Sequence, residues 1–159
     1  MFSLKSNPMK SMKLPSIVFA LIASLVAPAH AHGSATEKRI AGPNGGRVIT
    51  KVTPHVEFLV MADRKVKLTF LDDAGKPVEP AAQTATLTGG DRANPTKLAF
   101  AKEGGALVSD KALPEGASVP AVLQIKVTPD APVVSEKITV NMAKCPECKL
   151  SEYACTCGH

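Results

Sequence analysis

What most constrains this chain is a period of two, interrupted at short intervals by turn residues, with no helical period anywhere in its body. Val66, Leu68 and Phe70 point one way while Lys65, Lys67 and Thr69 point the other, and Leu123, Ile125 and Val127 do the same against Gln124, Lys126 and Thr128. Between such runs stand Asp72-Asp73-Ala74-Gly75, Gly89-Gly90-Asp91 and Glu103-Gly104-Gly105, residues that supply the dihedrals of tight turns. The pattern predicts strands over 47–52, 55–61, 65–71, 84–88, 97–101, 106–109, 121–128 and 134–142. Many short strands at this spacing predict an all-β fold, an antiparallel immunoglobulin-like β-sandwich, with a small barrel as the alternative. The sandwich spans 47–143 and is expected to bury its core without help from cysteine.

The amino terminus has a different character. Lys5, Lys10 and Lys13 precede the apolar run Ile17 to Val26 and the small-residue exit Ala29-His30-Ala31. That is the layout of a secretion signal over residues 1–31, and its apolar run is about half the roughly twenty residues a membrane span requires. A periplasmic or secreted protein beginning at His32 is therefore expected, with no membrane insertion after cleavage. Removal of the segment takes three lysines and no acids, leaving sixteen basic against fourteen acidic residues and a net charge of +2. The basicity of the whole chain is partly a targeting feature and gives no warrant for nucleic-acid binding. Residues 32–46 form a polar lead that ends in the turn-rich Gly42-Pro43-Asn44-Gly45-Gly46.

All four cysteines fall at the other end, in a tail over 144–159: Cys145 and Cys148 as C-x-x-C, then Cys155 and Cys157 as C-x-C, followed by His159. The six-residue link between the pairs is long enough to fold one back on the other. Four thiolates, or three with the His159 imidazole, would then reach one zinc or copper ion. Ser151 is placed to cap a short helical turn over 152–155 that orients the second pair. In an oxidising compartment the same residues can instead form structural disulfides, the crossed pairings being geometrically easier than closure within C-x-C. A thiol-exchange enzyme using Cys145 and Cys148 lacks the βαβ context of that chemistry.

The histidines offer a second possibility. A chain starting at His32 presents an α-amino group beside an imidazole, a Cu(II) chelate if a second imidazole approaches. His55 is the candidate, on a strand where His55 and Glu57 share a face opposite Val56, Phe58 and Val60. The alternative makes His55 and Glu57 the solvated side of that strand and His32 a loose end.

Four stretches, Gly42-Pro43-Asn44-Gly45-Gly46-Arg47-Val48, Pro54-His55-Val56-Glu57-Phe58, Val66 to Asp72 and Gly75-Lys76-Pro77-Val78, carry a resemblance. Together they resemble small, mostly uncharacterised exported bacterial proteins found with heavy-metal efflux systems, and are similar to a segment of the periplasmic adaptor subunits of those pumps. The resemblance implies a β-sandwich, a role near periplasmic metal handling, an efflux component as partner, and His55 and Glu57 as ligands. The long helical hairpin and barrel domains of the adaptors have no counterpart here, so a pump-bridging role does not carry over. No nucleophile, base and orienting carboxylate stand at a catalytic spacing, and the Gly-rich loops lack the Gly-Lys-Ser/Thr of a phosphate cradle. The expected function is extracytoplasmic binding or buffering of a soft or borderline metal, not catalysis; the alternative is a structural or interaction domain of the cell envelope with a disulfide-stapled tail. Export is checked by intact mass: the purified exported protein should begin at His32, and a chain retaining Met1 would remove the amino-terminal chelate.

Overall fold

The computed structural model describes residues 39–158; the expected signal over 1–31, His32 and the rest of the lead to residue 38, and His159 lie outside the described residues. Each expected strand is present with its ends shifted by a few residues. In chain order the strands are β1 (Ile40–Ala41), β2 (Arg47–Ile49), β3 (His55–Val60), β4 (Lys65–Leu71), β5 (Pro77–Val78), β6 (Thr84–Gly89), β7 (Thr96–Glu103), β8 (Ala106–Ala112), β9 (Val119–Lys126) and β10 (Val134–Val140). β1 and β5 were not expected, because two-residue strands carry no alternation to read. Among the described residues no helix is long and apolar enough to cross a membrane.

The strands form one antiparallel path, β1-β2-β3-β4-β8-β7-β6-β9-β10, with β5 added on β4. The all-β antiparallel class is as expected, but the two layers are joined as one curled sheet. β7 is the joint: Thr96 to Ala99 pair with β6, and Phe100 to Glu103 pair with β8. Curling closes one core, in which Val56, Phe58, Leu68 and Phe70 of the first half meet Leu87, Leu123, Ile125 and Val140 of the second. Of the inward residues read from the alternation, Val66, Leu68, Phe70, Leu123 and Ile125 are essentially inaccessible to solvent, whereas Val127, just past the end of β9, is only half-buried. Where the two ends of the path approach, side chains bridge them: Glu136 of β10 receives Arg47 Nη2 at 2.6 Å and Lys51 Nζ at 2.8 Å.

One part of the sheet is covered on both faces. The loop Gly42–Gly46 lies over β3 and β4, so that Glu57 (0 % exposed) and its cross-strand neighbour Thr69 (4 %) are buried on what would otherwise be the wet side. Glu57 is therefore not a solvated residue. Its Oε1 accepts the backbone N–H groups of Asn44 at 2.8 Å and Gly46 at 2.9 Å, and its Oε2 accepts Asn44 Nδ2 at 2.7 Å. Such bonds to an ionised acceptor are the strong kind, and they offset the cost of taking the charge out of water. The glycines make room for this contact. A Cβ on Gly42 would lie 2.4 Å from Glu57 Cδ, and one on Gly46 would lie 2.4 Å from the Phe58 carbonyl oxygen.

The tail is not an appendage to a finished core. Tyr153 (3 % exposed) and Ala154 (0 %) belong to the same hydrophobic cluster as the strands. The Tyr153 ring meets Phe58 edge-on, centroids 5.8 Å apart, and its hydroxyl accepts the Val60 N–H at 2.9 Å. Backbone bonds from Glu152 N to Ala143 O (2.8 Å) and from Tyr153 N to Asn141 O (3.2 Å) fasten the segment to the end of β10. The body closes its core with this help, which the alternation of the strands alone does not reveal. Replacing Tyr153 by Phe leaves a buried N–H without its acceptor and should lower stability by about 1–3 kcal/mol in urea unfolding. Ending the chain at Ala143 should lower it further, because the ring and Ala154 are lost together.

Candidate metal centre

The C-terminal segment builds the site from two local structures. Lys144 to Ser151 form a hairpin closed by a bridge between those two residues, with Cys145 N–H donating to Leu150 O at 2.8 Å and Lys149 N–H to Cys145 O at 3.0 Å. Lys149 adopts a left-handed φ of 62°, which turns the chain directly after Cys148. A 3-10 helix over Glu152–Ala154 follows, and Ala154 N–H donates to Ser151 O at 2.8 Å. This is the short helical turn that the spacing predicts. Ser151 does not cap it with its side chain, however; its Oγ instead faces Lys144 Nζ at 3.4 Å. A 3-10 turn this short is closed by main-chain bonds, so the hydroxyl is not needed there.

Folding back over the six-residue link brings the four cysteines together. Their sulfurs all lie within 4.8 Å of one another, and no disulfide joins them. Across the group, Cys145 Sγ lies 3.9 Å from Cys157 Sγ and Cys148 Sγ lies 3.7 Å from Cys155 Sγ. Zinc–thiolate bonds of about 2.3 Å directed to the corners of a tetrahedron put neighbouring sulfurs about 3.8 Å apart. The group therefore has the size and ligand chemistry to hold one metal ion. Cys145 and Cys155 are buried, Cys148 is half-buried and Cys157 is exposed.

The sulfurs are electrostatically unequal. The Leu150 N–H, then the Thr156 N–H and the thiols of Cys155 and Cys145, draw the Cys148 thiol down from 9.0 to about 6 against the opposing effect of desolvation. The Cys157 N–H reaches Cys155 Sγ at 3.4 Å and pulls that thiol down, but desolvation and contact with Cys145 and Cys148 outweigh it and leave Cys155 raised. Cys157 is raised as well, chiefly by desolvation where its sulfur turns toward the cluster, then by Glu147 and the neighbouring sulfurs. A single negative charge thus settles first on Cys148, and Cys155 and Cys157 resist adding a second beside it.

Beyond this group, His55 and Glu57 sit on β3 and neither joins the sulfurs. The His55 ring Nδ1 lies 2.9 Å from Val52 O, and the ring lines an open cleft of about 390 Å³ with Leu71, Asp72 and Asp73. Both Glu57 oxygens are engaged by the Gly42–Gly46 loop, so the turn and the His-x-Glu strand form one structural unit. That loop also comes up to the cysteine hairpin, since a Cβ on Gly45 would lie 3.5 Å from Leu150 Cδ2. His32 and His159 lie outside the described residues. Sequence reading missed Tyr153 and Glu57 as the supports of the site; the one available signal was a lone tyrosine placed between two cysteine pairs.

No protein-family model, no curated protein and no solved structure matches this chain. The inequality of the sulfurs gives a direct test on reduced, metal-free protein. At neutral pH iodoacetamide should alkylate Cys148 first, by peptide mass, although Cys157 is the more exposed; modification ordered by exposure alone would contradict the electrostatic picture.

Proposed function

We propose that this is an extracytoplasmic metal-binding protein that takes up one zinc ion through Cys145, Cys148, Cys155 and Cys157, and so binds or buffers a borderline metal. The observation that carries the reading is the sulfur spacing of 3.7 and 3.9 Å within a four-cysteine group, close to the edge of a zinc–thiolate tetrahedron. Four converging thiolates suit zinc better than Cu(I), which is satisfied by fewer sulfurs. His159, two residues beyond Cys157, is a replacement ligand for that exposed corner. The signal-like residues 1–31 support export, and the resemblance of the four stretches between Gly42 and Val78 to efflux-associated proteins supports a partner in metal export. Nothing in the reading requires catalysis, since the four sulfurs would fill the coordination shell of zinc and leave no position for a reacting water.

Seating the ion also fastens the core. Tyr153 and Ala154 lie between the two cysteine pairs, so a metal that holds both pairs pins the segment that delivers the ring to Phe58. Binding to the folded state alone raises stability with the logarithm of metal concentration. Anaerobically reduced protein should take up one equivalent of Co(II) with thiolate charge-transfer absorption, give it up to zinc, and unfold at a higher temperature when loaded. Cys155 and Cys157, held up as thiols at neutral pH, must each release a proton on binding, so affinity should fall by no less than about a hundredfold for each unit the pH is lowered through that range. Absence of metal uptake at micromolar protein, or full uptake by all four single Cys→Ser variants, would favour a disulfide-stapled envelope domain instead.

A further inference from the structure

We infer that the cysteine centre is a point of metal transfer, in which Cys157 is the ligand that yields to an incoming dithiol. This role presupposes the metal reading above and adds the route by which the ion enters and leaves.

The four ligands are held unequally. Cys145 (0 % exposed) and Cys155 (4 %) form a buried side, and their main chain is fixed: Cys145 N–H bonds to Leu150 O at 2.8 Å, and Cys155 N–H to Glu152 O at 3.3 Å. Cys155 directly follows the docked Tyr153 and Ala154, and Cys145 is held by the hairpin that the Lys144–Ser151 bridge closes. On the opposite side Cys148 is half-buried, and Cys157 is exposed along with Thr156 and Gly158 on either side of it. The site thus has two anchored sulfurs against the core and an edge, Cys148 and Cys157, that faces solvent. The same hairpin carries the exposed Lys149 and Glu147, and the Glu147 carboxyl is in hydrogen-bond contact with the Cys157 thiol itself.

Exchange at this edge balances without redox chemistry. The first sulfur of the acceptor loses its proton and bonds the metal, the bond from the metal to Cys157 breaks, and the Cys157 sulfur takes up a proton. The second acceptor sulfur then displaces Cys148 in the same way, and the buried pair releases last. The oxidation state of the metal is unchanged throughout. A sealed structural site behaves otherwise, because its metal leaves only when the fold opens and its release is capped by the unfolding rate, whatever the acceptor concentration.

The test uses the full chain loaded with one equivalent of zinc and a concentration series of dimercaptosuccinate, with the zinc-bound fraction followed by native mass spectrometry. The release rate should rise in proportion to the dithiol. Cys157→Ser should release zinc about tenfold faster or more, the scale on which changes around a metal's ligand shell are felt, while the unfolding midpoint of the metal-free form stays that of the parent. A rate independent of dithiol and equal to the unfolding rate would overturn the transfer role and leave a closed zinc site. So would a Cys157→Ser variant that exchanges at the parental rate. If that variant holds no zinc, the concentration dependence of the parent decides alone. A parent that takes up no zinc would instead remove the metal reading itself.

Discussion

At Val60 the third strand runs past the end of its partner β2, and a buried backbone N–H is left without a strand to receive it. An orphan donor in the interior costs more than an ordinary hydrogen bond gains. The hydroxyl of Tyr153 supplies the acceptor, and its ring meets Phe58 two residues earlier on the same strand. Much follows from this one contact. The chain after β10 is drawn back across the end of the core, Ala154 is buried, and Cys155 is brought up against the hairpin that carries Cys145 and Cys148. The position of the sulfurs is thus a consequence of how a sheet edge is completed.

A second support comes from the same strand, three residues back. Glu57 gathers the Gly42–Gly46 loop onto the outer face of β3 and β4, and the loop in turn rests against Leu150 beside Cys148. A carboxylate in that position needs several donors at once, and the loop provides them because its glycines permit backbone approach that any side chain would block. The charge is also felt at Tyr153, whose phenol is raised chiefly by burial, against the Val60 hydrogen bond, and further by Glu57. The two supports of the cysteine group are therefore neighbours as well as parallel in effect.

Strand positions were legible because burial of one face writes itself into alternation, and the positions where Lys65, Lys67 and Gln124 separate apolar residues are those where one side stays wet. The cysteine group was legible because thiols at such density have few uses. Elsewhere the local signal was absent or misleading. β1 and β5 are too short for a period to appear, and their pairing is imposed by the strands beside them. Glu57 reads as solvated from its place opposite Val56 and Phe58; its burial depends on a loop more than ten residues away in sequence, which no strand period encodes. Tyr153 is similar, since its partner Val60 lies on the far side of most of the chain. The capping role expected of Ser151 failed for a more local reason, as a single 3-10 turn leaves few donors for a side chain to satisfy.

Glu136 is the remaining feature with reach beyond its own contacts. It points inward from β10, the last strand of the path, and there meets Arg47 and Lys51 from the other end. The curled sheet is thus joined at its seam by charge and not by a continued ladder, and a seam of that kind leaves strand edges that another molecule could extend. A strand added from outside would have to displace the two cations and strand a carboxylate in an apolar interior. Inward-facing charge is one of the means by which β-proteins keep their edges from templating aggregation. The ion pairs that close the fold would thus also guard its colloidal stability.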